Sequence, residues 1–319
     1  MSIALIFPGQ GSQQVGMGRA LADNFAAARA VFEEVDASLG ESLSATIFEG
    51  PEDKLVLTAN AQPALMAVSL ATLKVLQSET GLDVGRHAAF VAGHSLGEYS
   101  ALAAAGSLSI SDAAKLLRIR GDAMQKAVPV GEGAMAALLG LDLDAARAVA
   151  DEAAEGEVLA AANDNAPGQV VVSGAKAAVE RAIALAKTRG AKRAVLLPVS
   201  APFHCALMQP AADAMREALA GVTISPPAAP LVANVTAGPL TEPEAIRARL
   251  VEQVTGAVRW RESVAFMAGA GVTRFYEIGA GKVLSGLVKR IASGATGESV
   301  GSPEDVARLK AEAAFSAQG

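Results

Sequence analysis

Gly93-His94-Ser95-Leu96-Gly97 is the stretch of this 319-residue chain whose residue types and spacing point most directly to chemistry. A serine with glycines two positions to either side fits a strand that turns straight into a helix. The corner residue takes a strained backbone, and the glycines let the two segments pass closely. The Ser95 hydroxyl then projects above the helix N-terminus, and the N–H of Leu96 points the same way, ready to hold an oxyanion. The chemistry this suits is attack by Ser95 on an acyl carbonyl. The competing reading of the same five residues is a tight turn with a capping serine.

A nucleophilic serine needs a base, and the chain has only three histidines. His94 adjoins Ser95 and projects in another direction. His87 lies at the far end of the same strand, roughly 25 Å away at about 3.3 Å per residue. Elimination leaves His204, in Ala201-Pro202-Phe203-His204, against the plainer reading of a satisfied core histidine. A hydrolase triad would add an acid. Asp112, Asp122, Asp142, Asp144, Asp151 and Asp164 fall between Ser95 and His204, and none has a distinguishing context. Arg120 is the remaining candidate. It falls in the apolar stripe Ala113, Leu116, Leu117, Met124 and Ala127 of a helix predicted over 111–127, while Lys115, Arg118, Asp122 and Lys126 take the solvated face. An inward guanidinium needs a partner. That partner is either a structural acid or a carboxylate on the substrate, held bidentately.

The elements that must position these groups are legible as patterns. Ala88 to Ala92 is a continuous apolar run, the mark of a strand covered on both faces, and an alanine-rich helix starts at Leu96 and stops near Gly106. Ile3 to Phe7 reads as a first buried strand, followed by the Gly- and amide-rich loop Gly9 to Gln13. Helices are predicted over 19–39 and from Pro63 to about Glu79, with Pro63 in the first turn. From Gly133 to Pro198 the periods alternate as βαββαβ. The fold class that follows is α/β: a large α/β-hydrolase-like unit with a mainly parallel sheet (1–129 and 199–319) and an inserted ferredoxin-like unit (130–198). Further on, the pattern predicts strands at 231–235 and 274–278, helices at 207–219, 243–254 and 260–267, and a charged terminal helix at 303–313 that docks loosely.

Composition removes several classes of function. The chain is 51% hydrophobic and 19% charged, which suits a globular protein with a sizeable core. Aromatic residues at 4% and a net charge of −6 argue against a nucleic-acid partner. The single cysteine, Cys205, excludes an internal disulfide and reads as a small buried hydrophobe in a reducing compartment. The apolar run at the N-terminus is too short for a signal sequence, and 99–111 is too short to cross a bilayer. A cytoplasmic protein with no membrane association is expected. Neither Gly9 to Gln14 nor Gly279 to Val283 completes a dinucleotide or phosphate-loop motif.

Phe7-Pro8-Gly9-Gln10-Gly11-Ser12-Gln13, Gly93 to Glu98, Arg120-Gly121, Asn163 to Gly174, Phe203-His204 and Tyr276 to Lys289 together resemble, in order, the malonyl-CoA:acyl carrier protein transacylases of fatty acid synthesis. The resemblance spans nearly the whole chain. Gly279-Ala280-Gly281-Lys282 departs slightly from the family's Gly-Pro-Gly-Lys. It implies transfer of a malonyl group from malonyl-CoA to the phosphopantetheine thiol of acyl carrier protein through an ester on Ser95, for fatty acid or polyketide synthesis. No cofactor and no metal is needed, and a monomer is expected. The resemblance further implies that the backbone N–H of Gln10 joins that of Leu96 in the oxyanion hole. It also implies that the main-chain carbonyl of Gln253 orients His204 and that Phe203 closes the acyl pocket against methylmalonyl. Lys282, Lys289 and Arg290 are the candidates for receiving the acidic carrier. Two other readings stay open on the residues alone: a serine esterase or patatin-like acyl hydrolase, and a non-catalytic carrier-docking module with a relict serine loop.

Overall fold

Phe7 at the end of β1 (Ser2–Phe7) lies beside Gly93 at the end of β2 (Ala88–Gly93), in parallel register, in the computed structural model, which describes residues 2–315. The other strands in chain order are β3 (Gly133–Leu139), β4 (Leu159–Ala166), β5 (Gln169–Ala175), β6 (Arg193–Leu196), β7 (Leu231–Val232), β8 (Pro239–Leu240), β9 (Val272–Ile278) and β10 (Thr296–Val300). They form two sheets. One is six-stranded in the order β10-β9-β1-β2-β7-β8, parallel except for the β7–β8 pair. The other is four-stranded, β4-β5-β3-β6, and antiparallel throughout.

The β1 sequence shows why the large sheet is central. Ile3, Leu5 and Phe7 enter the core that holds Leu65, Leu73 and Leu102, while Ala4 and Ile6 enter a second core with Trp260, Phe275 and Val288. Both faces are covered by helices, so the strand needs apolar residues at every position. The antiparallel sheet has its own core between its strands and the helices Leu143–Ala154 and Lys176–Thr188. Its element order is the predicted βαββαβ, and its edge strand β4 reaches the other sheet's territory through Asn163 and Val258.

Several expectations are corrected. The helix predicted over 19–39 breaks at extended Phe25 into Arg19–Asn24 and Ala26–Leu39. Pro63 does not start its helix but lies inside Thr58–Thr80. Proline has no N–H for the carbonyl four residues back, and that carbonyl, of Ala59, instead accepts from Arg118 Nη1 at 2.7 Å. Arg118 is thus half-buried, bonded also to Asn60 and Glu41, and not on a solvated face. The strand expected at 231–235 is confined to Leu231–Val232. Strand β10 has no counterpart in the sequence pattern, because Thr-Gly-Glu-Ser-Val is too polar to read as a strand; its edge position explains the composition. The terminal helix Pro303–Ala311 docks firmly: Val306 and Leu309 are buried in the main core, and a Ser302–Asp305 capping box starts it.

Candidate active site

Parallel strands deliver their C-terminal ends to one edge of the sheet, the usual place for ligands in open α/β sheets. Here that edge brings together the loops after β1, β2, β7 and β9, carrying Gln10, Ser95, Asn234 and Gly279 in turn. Ser95 turns the corner between β2 and the helix Gly97–Ala104 with φ +54°, a left-handed conformation costly for a side-chain residue. The glycines beside it are steric necessities. A Cβ on Gly93 would lie 1.9 Å from the Gly97 carbonyl, and one on Gly97 would lie 2.3 Å from the Phe7 carbonyl oxygen.

His204, the candidate base, lies against Ser95. Ser95 Oγ is 2.8 Å from His204 Nε2, and His204 Nδ1 is 2.9 Å from the main-chain carbonyl of Gln253. A carbonyl only accepts, so Nδ1 carries the proton and Nε2 is left to take one from the serine. Among the described residues no aspartate takes that place; Asp164 is paired with Arg261. His204 is buried, and desolvation, with the Arg120 charge behind it, pulls its pKa down to about 3. The imidazole is therefore the free base at any physiological pH. His94 faces away, 2.8 Å from Asn165 Oδ1 and against Trp260, and His87 stays at the opposite end of β2 bonded to Asp83.

Arg120 is 1% exposed and its Nη2 donates to Ser95 Oγ at 3.1 Å. Its helix, Ile110–Ala127, crosses Thr58–Thr80 so closely that a Cβ on Gly121 would come within 2.6 Å of the Ala59 Cα. That approach sets Arg120 beside Gln62. Its other bonds run to Gln62 Oε1 at 2.7 Å and Gln253 Oε1 at 2.8 Å, so every partner it has is uncharged. The structural ion pair is absent among the described residues. Burial lowers its pKa against the raising pull of Tyr99 and Glu98, and a guanidinium still stays charged. The result is a fixed cation beside a serine hydroxyl, held by neutral amides and by the face of the Tyr99 ring, 5.8 Å from its centroid.

The remaining predicted residues are placed as follows. Leu96 is buried and its N–H, like that of Gln10, makes no hydrogen bond among the described residues. Gln10 lies on the exposed loop after β1, its side chain bonded to Thr58 at 3.1 Å. Phe203 is buried one residue before His204. Cys205 is buried too, its thiol donating to the Pro202 carbonyl at 3.2 Å, and burial raises its pKa. Lys282, Lys289 and Arg290 are exposed on or beside the helix Val283–Ile291, away from the serine's hydrogen-bond network.

Three residues of the site were assigned no role from sequence, although Glu98 closes the matched stretch Gly93 to Glu98. Gln62 and Glu98 are buried polar side chains on helices, and Asn234 follows the two-residue strand β7. Asn234 Oδ1 accepts from the Ser95 N–H at 2.8 Å and its Nδ2 donates to the Gly93 carbonyl at 2.7 Å, which clamps the corner on both sides of His94. Asn234→Ala would leave both groups buried and unmet, and a loss of about 1–3 kcal/mol in stability is expected. Denaturant unfolding measures it, and an unchanged midpoint would show that the clamp is dispensable.

Comparison with known proteins gives the family. Residues 4–303 match the model of the acyl transferase domain family, to which the chain belongs. Among relatives, the malonyl CoA-acyl carrier protein transacylase of Bacillus subtilis is 48% identical over 305 residues, covering 95% of each chain. The crystal structure of acyl-carrier-protein-S-malonyltransferase from Bartonella henselae superposes with a TM-score of 0.96 at 55% identity, over 99% of this chain and 100% of that one. A type II polyketide synthase acyl-carrier protein in complex with its malonyl-transacylase gives a TM-score of 0.94 at 43% identity, over 98% and 100%. The esterase and relict-module readings find no support among these relatives.

Proposed function

We propose that this protein moves a malonyl group from malonyl-CoA to the phosphopantetheine thiol of acyl carrier protein, with Ser95 as the intermediate carrier. The observation that carries this is the buried Arg120 guanidinium 3.1 Å from Ser95 Oγ. An acyl hydrolase has no use for a fixed cation there, whereas a malonyl carboxylate does.

His204 Nε2 takes the Ser95 proton as Oγ bonds to the thioester carbonyl carbon. The N–H groups of Gln10 and Leu96 hold the oxyanion. When the C–S bond breaks, the imidazolium returns its proton to the CoA sulfur and a malonyl ester remains on Ser95. The carrier's thiol then gives its proton to His204 and attacks the ester, and Ser95 Oγ recovers a proton as it leaves. The steps need no metal or redox cofactor. Phe203 lies beside the acyl group and limits substitution at its α-carbon. No described helix is long and apolar enough to cross a membrane. A cytoplasmic monomer supplying fatty acid or polyketide synthesis fits this reading. So do an α/β-hydrolase-like large unit (1–129 and 199–319) and a ferredoxin-like insertion (130–198).

Mixing the protein with malonyl-CoA alone should add one malonyl mass, mapped to the peptide containing His94-Ser95. An adduct on Cys205, or none, would sink the assignment.

The carrier protein, itself acidic, is received at Lys282 and Lys289. Arg290 donates to the Pro167 carbonyl at 3.0 Å and to Gln169, so it also ties its helix to the β4–β5 turn. Charge reversal at Lys282 and Lys289 together should raise KM for the carrier by roughly fivefold or more and flatten its salt dependence. Unchanged carrier kinetics would remove both residues from the docking site.

A further inference from the structure

Glu98 is a buried acid, 1% exposed and three residues beyond the nucleophile, that neither half-reaction uses. Its Oε2 accepts from Gln253 Nε2, and the same amide nitrogen donates to the Ser95 main-chain carbonyl at 3.0 Å. With both amide hydrogens committed, Gln253 must turn Oε1 towards Arg120, whose Nη2 donates to it at 2.8 Å. The two ends of a glutamine amide are alike in size. Flipped, Gln253 would press its NH2 against the guanidinium and turn Oε1 onto the Ser95 carbonyl; Glu98 adds a second acceptor on that side, since its Oε1, which bonds to nothing among the described residues, is the oxygen left to carry the acid proton. Glu98 makes no direct ion pair with Arg120, since the Gln253 amide lies between them.

We infer that Glu98 is a positioning residue for malonyl selection: through the Gln253 amide it aims the Arg120 guanidinium at the acyl site without pairing with it. The indirect arrangement has a physical reason. A carboxylate bonded to Arg120 would neutralise it and compete with the carboxylate of the substrate, whereas two amide carbonyls hold the guanidinium and are displaced by a stronger, charged acceptor. Burial supports the same end by pushing the Glu98 carboxyl up to about 8, against the lowering pull of Gln253, the Asn234 backbone and Arg120. Near neutrality the acid thus carries little charge of its own.

The inference rests on the malonyl reading, so the test keeps the two apart. Acylation of Ser95 is followed by intact mass, and kcat/KM is measured for malonyl-CoA and acetyl-CoA. Glu98→Leu removes the acceptor, and the malonyl-to-acetyl ratio should fall at least about tenfold, mainly through a higher malonyl KM. An equal loss on both thioesters, or an unmoved ratio, overturns the inference. The exchange Glu98→Gln with Gln253→Glu keeps the composition but sets the acid directly on Arg120; it should keep malonyl KM high, and decides alone if the leucine variant is insoluble. Wild-type selectivity in the exchanged protein overturns the inference. An unsubstituted protein that forms no malonyl ester overturns the proposed function and this inference together; an ester with an unmoved ratio overturns this one only.

Discussion

His204→Ala should slow acylation of Ser95 by roughly 10²–10⁴-fold, the usual contribution of a positioned acid/base. The imidazole is 2.8 Å from the serine hydroxyl and oriented by the Gln253 carbonyl, with no other titratable side chain among the described residues placed to accept that proton. His87→Ala should do little, because His87 only bonds Asp83 at the other end of β2. Comparable losses in both variants would refute the assignment. The pH profile adds a second check. A general base works in its neutral form, which persists above the folded-state pKa, and burial sets that at about 3. For this group kcat/KM should therefore stay level as pH falls through 6.5, the ordinary histidine value, and drop only as pH approaches about 3. An acid limb near 6.5 would mean that the base is exposed when it acts.

Arg120→Ala should abolish the preference for malonyl-CoA while raising the relative rate with acetyl-CoA. Exchanging two neutral acceptors for the oxygens of a carboxylate gains about 1–1.5 kcal/mol per bond, which amounts to a discrimination of roughly 30–150-fold. The origin of that preference differs from the simplest expectation. Acetyl-CoA does not leave the guanidinium bare, since Gln62 and Gln253 already satisfy its terminal nitrogens. On the proposed function, selectivity would come from exchanging neutral acceptors for a charged one. The measurement is kcat/KM for both thioesters in both proteins. An unchanged acetyl-to-malonyl ratio would reduce Arg120 to a structural role and remove the main physical support for the substrate.

Gly93 to Gly97 could be read as a strand-to-helix corner because its cause lies within five residues: backbone meets backbone there, and only glycine fits. The same holds for the two-sided apolar runs of β1 and β2, for the βαββαβ periods between Gly133 and Pro198, and for Arg120, a charge standing in an apolar stripe. Each is a local pattern with a local cause. Gln62, Glu98 and Asn234 left no such trace, because their partners are brought close only by folding: Asn234 clamps a corner 139 residues away, and Gln253 reaches the Ser95 carbonyl across 158. The edge strand β10 was invisible for a related reason, since a strand paired on one side tolerates the polar residues that hide it. The five-residue corner, then, was written in the chain, as was the choice of His204 as the candidate base once three histidines had been counted. The tautomer of His204, the neutral partners of Arg120 and the acid behind Gln253 were decided by tertiary structure, because each depends on which atoms of distant segments share one desolvated volume.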